Sequence, residues 1–209
     1  MNIQNNGINK RDRLVDSAAQ LFQQNGLLAT SLADIAKHAE IPIGNVYYYF
    51  KTKDELALAA IDKRRQQLAE IYAALAENIH DPRERLIALT AYFDKQNVEY
   101  AKGGCSIGKI IGDMDVGKDV VAQTAVQIMA DFVAWTGSQF SELGHNAEAK
   151  KHAISFMSAI QGAAVMAKTF QNPEIFSDEM ARLVAWIENL PNKKIQLGKV
   201  GLRFAANGE

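Results

Sequence analysis

An all-α fold is expected for this chain of 209 residues, built from about nine helices. Three observations predict it. Apolar residues recur at spacings of three and four through most of the length, capping patterns stand where each such run begins, and no segment of alternating polarity competes with them. With 48% hydrophobic residues and only 4 prolines, the chain can bury one large core or two smaller ones. The expected organisation is an N-terminal arm and three-helix head over 1–52, a larger helical region over 53–190 and a tail over 191–209.

Residues 1–8 read as a polar arm. Over 9–24, Leu14, Ala18, Leu21 and Phe22 recur at helical spacing, and Asn25-Gly26 ends the run. The stretch 31–56, SLADIAKHAEIPIGNVYYYFKTKDEL, reads as two short helices joined by a tight turn, a helix-turn-helix. Ser31 caps the first, with Asp34 at the capping-box position, and Pro42 suits the first turn of the second because its missing N–H has no partner there. Thr52-Lys53-Asp54-Glu55 repeats the capping pattern and opens a long helix to about residue 76, the expected mechanical link out of the head. Asp81-Pro82 starts a helix running to residue 101, stopped by Gly103-Gly104. Further helices are expected over 106–111, 119–142, 147–170 and 174–190. In the tail, Lys193, Lys194, Lys199 and Arg203 are basic, and Val200, Leu202 and Phe204 alternate like a short strand.

Composition narrows the function. No run of about 18 apolar residues is present, and the start MNIQNNGINKRDR lacks the apolar centre of a signal peptide, so no membrane partner is expected. The single cysteine, Cys105, makes no internal disulfide and fits a reducing cytoplasm. The net charge of −1 argues against a generally basic nucleic-acid coat. Residues 1–64 hold 8 cations against 7 anions. Binding to DNA would therefore rest on placement, with Lys10, Arg11 and Arg13 at one end and Lys51 and Lys53 at the other as phosphate clamps. In the second short helix Val46 and Phe50 share an apolar face, while Asn45, Tyr48 and Tyr49 point elsewhere. Gly44 lets a backbone approach, unless it serves only the turn. Asn45 and Tyr48 can reach base edges and the tyrosines phosphates. The bland reading of Tyr47-Tyr48-Tyr49 is packing of a short helix; Tyr47 is expected to do both.

Residues 11–64, through LVDSAAQLFQQNGLLATSLADIAKHAEIPIGNVYYYFKTKDEL, resemble the tetracycline-repressor (TetR) family of bacterial transcription regulators. The resemblance implies an obligate homodimer on a palindromic double-stranded operator and a helical C-terminal domain that binds a small effector and dimerises. It places Ile43, Gly44, Asn45 and Tyr48 where the family reads bases. Tyr47, Tyr49 and Lys53 fall on phosphate contacts, and Ser31 is included in the DNA-facing set. Pro42 and Ile43 stand where the family more often has Ser and a polar residue. Repression by occlusion is the implied output, with no cofactor.

In the sensor half the informative element is AKGGCSIGKII, 101–111. Cys105 is expected at a helix N-terminus, which favours thiolate, with Lys109 one turn on along the same face. The GC element and the AKTF segment at 167–170 are similar to a branch of the family that responds to electrophiles and oxidants, which implies Cys105 as sensing thiol and Lys168 approaching it. The alternatives are a buried cysteine that only packs and a solvated lysine. A reversible apolar ligand is the other route, with Tyr92, Phe93, Phe132, Trp135, Phe156, Met157 and Trp186 as a pocket or simply as core. Ser158, Ala159, Gly162, Ala163 and Ala164 suit either a dimer seam or intrachain packing. No metal is expected: Asp113, Asp115, Gly117 and Asp119 depart from a calcium loop, and His145 and His152 are seven apart. An enzyme using Cys105 with one of these histidines is the rival of another class, without a supporting signature.

Overall fold

The computed structural model describes residues 9–191, so the arm 1–8 and the basic tail with its short alternating stretch lie outside the described residues. The described chain forms ten helices and no strand. The head holds α1 (Lys10–Asn25), α2 (Leu32–His38) and α3 (Ile43–Tyr49), and α4 (Lys53–Asn78) runs out of it. There follow α5 (Pro82–Asp94), α6 (Asn97–Gly103), α7 (Ser106–Asp113), α8 (Val120–Glu142), α9 (Ala149–Phe170) and α10 (Glu174–Asn189). The single helix expected over 81–101 is thus two, broken at Lys95-Gln96. The break is held from a distance, since Ser177 donates to Asp94 at 2.6 Å and Asn97 donates to Ser177 at 2.8 Å.

The helix starts follow their caps. Ser31 accepts from the Asp34 amide while the Asp34 carboxylate accepts from the Ser31 amide, a reciprocal capping box. Thr52 accepts from the Glu55 amide, but Glu55 returns its carboxylate to the Lys51 amide at 2.7 Å, one residue before the expected partner. Asp81 and Asp119 cap α5 and α8. Pro42 is the cap residue of α3, and the helix starts at Ile43.

The α2–α3 turn closes through Glu40 N–H to Lys37 C=O at 3.2 Å and Ile41 N–H to Ala36 C=O at 2.9 Å. This double closure needs a left-handed residue between the helices, and Glu40 supplies it with φ +53° where glycine is more usual. Arg13 of α1 braces the turn by donating to the Ala39 carbonyl at 2.5 Å.

A continuous apolar core runs through head and body. Leu14, Ala18, Leu21 and Phe22 of α1 meet Ile35, Val46, Phe50 and Leu56, and the same cluster continues to Leu86, Phe132, Phe156 and Ile187. In the body α9 packs between α8 and α10, α5 closes over α8 and α10, and α4 lies along α1 and α8. Burial of roughly 1.5–3 kcal/mol per large apolar side chain makes this shared core the main tie between the two parts.

Candidate nucleic-acid interface and sensor cavity

The head presents α3 outward. Ile43, Tyr47 and Tyr48 are 44%, 50% and 76% exposed, an unusual outlay of apolar and aromatic surface on one short helix. Val46 faces inward and is fully buried, Tyr49 packs partly on the core and meets Tyr48 edge-on, and Asn45 is half-buried. Gly44 is exposed, and a Cβ added there would meet no described residue within 4 Å. The α3 turn itself therefore does not require glycine at this position. Ser31 spends its hydroxyl on Asp34, donating to the carboxylate at 2.6 Å.

The cations of the expected clamp are largely engaged within the chain. Lys53 donates to the Leu27 carbonyl at 2.9 Å and toward that of Leu28, fixing the α1–α2 loop. Lys51 caps the end of α3 through the Tyr47 carbonyl at 2.6 Å. Arg11 lies over the ring of Phe50 at 5.2 Å, and Lys10 is exposed.

Cys105 is the N-cap of α7, half-buried, and its sulfur accepts from the Gly108 amide and from the Gln161 side chain, both at 3.4 Å. Lys109 does not serve the cysteine as expected. Its ammonium crosses to the end of α1 and donates to the carbonyls of Gln23 and Gln24, both at 3.3 Å, where unpaired helix carbonyls carry partial negative charge. Burial, then the neighbouring charge of Lys168, lowers the Lys109 pKa below its ordinary value. Lys168 lies against Gly104, the residue before Cys105, with its Cδ 3.2 Å from where a Cβ would stand.

The glycine pair has a structural reason. A Cβ on Gly103 would come within 2.7 Å of the Gln23 carbonyl oxygen, so only glycine lets α6 meet the end of α1. Gly104 has φ +74° and accepts from the Gln23 side chain at 3.4 Å. The backbone running into Cys105 is thus the surface on which the first helix of the head rests.

Cys105 also lines a cavity of about 230 Å³ whose walls come from α1, α4 and α5 to α9. Of the expected pocket residues, Phe93, Phe132 and Met157 line it. Tyr92, Trp135, Phe156 and Trp186 do not: the Tyr92 hydroxyl accepts from Arg64 at 3.0 Å, Trp135 stacks on Tyr72, Phe156 is core against Phe132, and Trp186 packs near Phe140 and His152. Of the small residues of α9, Ser158 and Gly162 are exposed, whereas Ala163 and Ala164 pack inside the chain. Among the described residues no group of His, Cys, Asp and Glu is arranged to hold a metal. Asp119 caps α8, and Asp115 accepts from the Gly117 amide. No described helix is long and apolar enough to cross a membrane.

Residues 14–60, from the core of α1 into the first turns of α4, match the model of the bacterial regulatory proteins of the tetR family. This segment is similar to the DNA-binding head of tetR-family regulators. Among relatives, it is 22% identical over 169 residues to the HTH-type transcriptional regulator LmrA of Bacillus subtilis, covering 78% of this chain and 88% of that protein. It is 40% identical over 55 residues to the HTH-type transcriptional regulator QacR of Staphylococcus aureus, covering 26% of this chain and 29% of that one. The tetR-type fold extends over the body as well. A TetR transcriptional regulator from Legionella pneumophila superposes with a TM-score of 0.76 at 19% identity, covering 89% of this chain and 98% of the other.

Sequence reasoning missed the parts of this chain that join head to body. Gln23, Gln161 and Arg64 carry no motif, and each acquires its partner from more than 25 residues away. The glycine pair was the one available signal, because adjacent glycines before a helix mark a close backbone approach.

Proposed function

We propose that this chain is a homodimeric repressor that occupies a palindromic DNA operator through α3 and leaves it when a small effector acts on the body near Cys105. The single observation that carries the reading is the seating of the α1 end on the Gly103-Gly104-Cys105 turn, which couples the thiol to the head through hydrogen bonds and direct packing. Base contacts fall to Ile43, Gly44, Asn45 and Tyr48 and phosphate contacts to Tyr47, Tyr49 and Lys53, with Ser31 on the DNA-facing side at the start of α2. The exposed stripe Ile154, Ser158, Gly162, Val165, Met166 and Phe170 on α9 recurs at helical spacing and supports a seam between two copies.

Cys105 is the sensing thiol in this reading. Addition to a conjugated carbonyl forms a bond from sulfur to the β-carbon, the thiol proton passes to the α-carbon, and nothing leaves. An oxidant instead converts the thiol to sulfenic acid. Either change places bulk where Gly108 and Gln161 now hold the sulfur, and shifts α7 with Lys109 and the end of α1 that it grips. The test is an operator gel shift with mass spectrometry of the protein after exposure to a quinone, an aldehyde or hypochlorite. Release accompanied by modification of Cys105, and absent in Cys105→Ser, is expected; equal release by Cys105→Ser removes the thiol from the mechanism. The cavity itself favours a second reading, a reversible ligand with Cys105 as one wall residue, and in that case Cys105→Ser responds as the parent does.

A further inference from the structure

The polarity of the cavity is divided by helix. Its α1 and α4 wall carries Asp16, Gln20, Gln23, Lys63, Arg64 and Gln67, while the wall from α5 to α9 is mainly Phe93, Ile107, Ile110, Ile128, Phe132 and Ile160. Three of the lining residues are charged. Lys63 and Asp16 pair at 2.5 Å and neutralise one another. Arg64 is left with phenols: it donates to the Tyr92 hydroxyl at 3.0 Å and lies beside that of Tyr100, and no described carboxylate reaches ion-pair distance. A half-buried guanidinium against an apolar wall has a desolvation cost that neutral phenols offset only in part. Its planar fork matches a carboxylate in two parallel hydrogen bonds.

We infer that the cavity takes a small ring-bearing carboxylate, with the anion on Arg64 and the ring against Phe93 and Phe132. The volume of about 230 Å³ lies just under the usual range of ligand pockets, which restricts the ligand to one or two rings. Gln161, which faces the cavity beside Cys105, is a second donor for a polar substituent. The assignment rests on the reading that an effector enters the body, and it gives the reversible branch of that reading a chemical class.

The experiment uses the full chain and two probes, 1-naphthoate and its neutral amide, followed by calorimetric titration and thermal melting. The acid binds and raises the melting temperature, and the amide does not. Arg64→Gln weakens acid binding by about tenfold to a hundredfold, the worth of a charge-assisted hydrogen-bonded pair. Arg64→Lys, which keeps the charge without the fork, recovers part of it and supplies a folded comparison if the glutamine variant melts early. Equal binding of acid and amide, undiminished binding in both Arg64 variants, or no binding of the acid each overturns the assignment. A gel shift on the same samples separates the two readings. Acid that binds and leaves the operator complex intact keeps the site and removes its effector role, whereas release by Cys105 modification without any acid binding keeps the repressor and removes the site.

Discussion

Gly44 and Asp34 are the two positions in the head where one side chain separates a folding requirement from a binding requirement. No described residue occupies the space beside Gly44, so Gly44→Ala is expected to melt no lower than the parent, and up to about 1 kcal/mol more stable because alanine favours the helix. Its operator affinity is expected to fall at least about tenfold where DNA approaches that backbone. Melting and gel shift on one preparation check both, and unchanged affinity would reduce Gly44 to an ordinary helix residue. Asp34 is fixed by the fold. Hydrogen bonds from the Ser31 hydroxyl and amide hold its carboxyl below the ordinary value of 3.8. Because the folded value lies below the unfolded one, the capping box contributes fully above 3.8 and its contribution fades as pH falls through the folded value. Asp34→Asn should therefore melt below the parent at neutral pH, with the gap closing in acid. Both residues were legible in the sequence, since a serine three places before an aspartate and a glycine at a helix start are local signals. Lys53 was not. Besides the phosphate contact proposed from its position after α3, its ammonium binds the Leu27 and Leu28 carbonyls of a loop about 25 residues earlier, which no neighbouring residue announces.

Helix α6 is the element on which the end of α1 rests, and in the proposed mechanism it turns a chemical event in the body into a change in the head. Its last residue, Gly103, touches the Gln23 carbonyl so closely that a methyl group cannot enter without moving one helix from the other. Gly103→Ala is expected to cost about 1–3 kcal/mol, the range for overpacking a rigid contact, and to weaken operator binding in the unmodified protein. Denaturant titration with a gel shift checks it, and a variant with parental stability and affinity would show that the α1 seat is dispensable. The starts of α2, α4, α5 and α8 were readable because caps are written in a few adjacent residues. The break between α5 and α6 was not, because Lys95-Gln96 contains no residue that stops a helix and the hydrogen bonds that hold it reach Ser177 on α10. The cavity was unreadable for the same reason: its lining comes from seven helices, and the aromatic residues alone gave no way to tell lining from core.

Across the whole molecule, one core ties the head to the body. The same molecule engages many of its cations within the chain. Arg13, Lys51, Lys53 and Lys109 hold backbone carbonyls, and Lys63 holds Asp16. Lys10, Arg11 and Lys37 are the exposed cations that the described head keeps toward solvent on α1 and α2. An operator complex built on so few free charges displaces few condensed counterions. The logarithm of its affinity against the logarithm of salt concentration should fall with a slope of only about −3 per head. A slope near −10 would mean that the carbonyl-bound lysines let go and turn to the phosphates. A shallow slope means that shape and base contacts hold the complex, and that the search for the operator gains little from long-range attraction along the DNA.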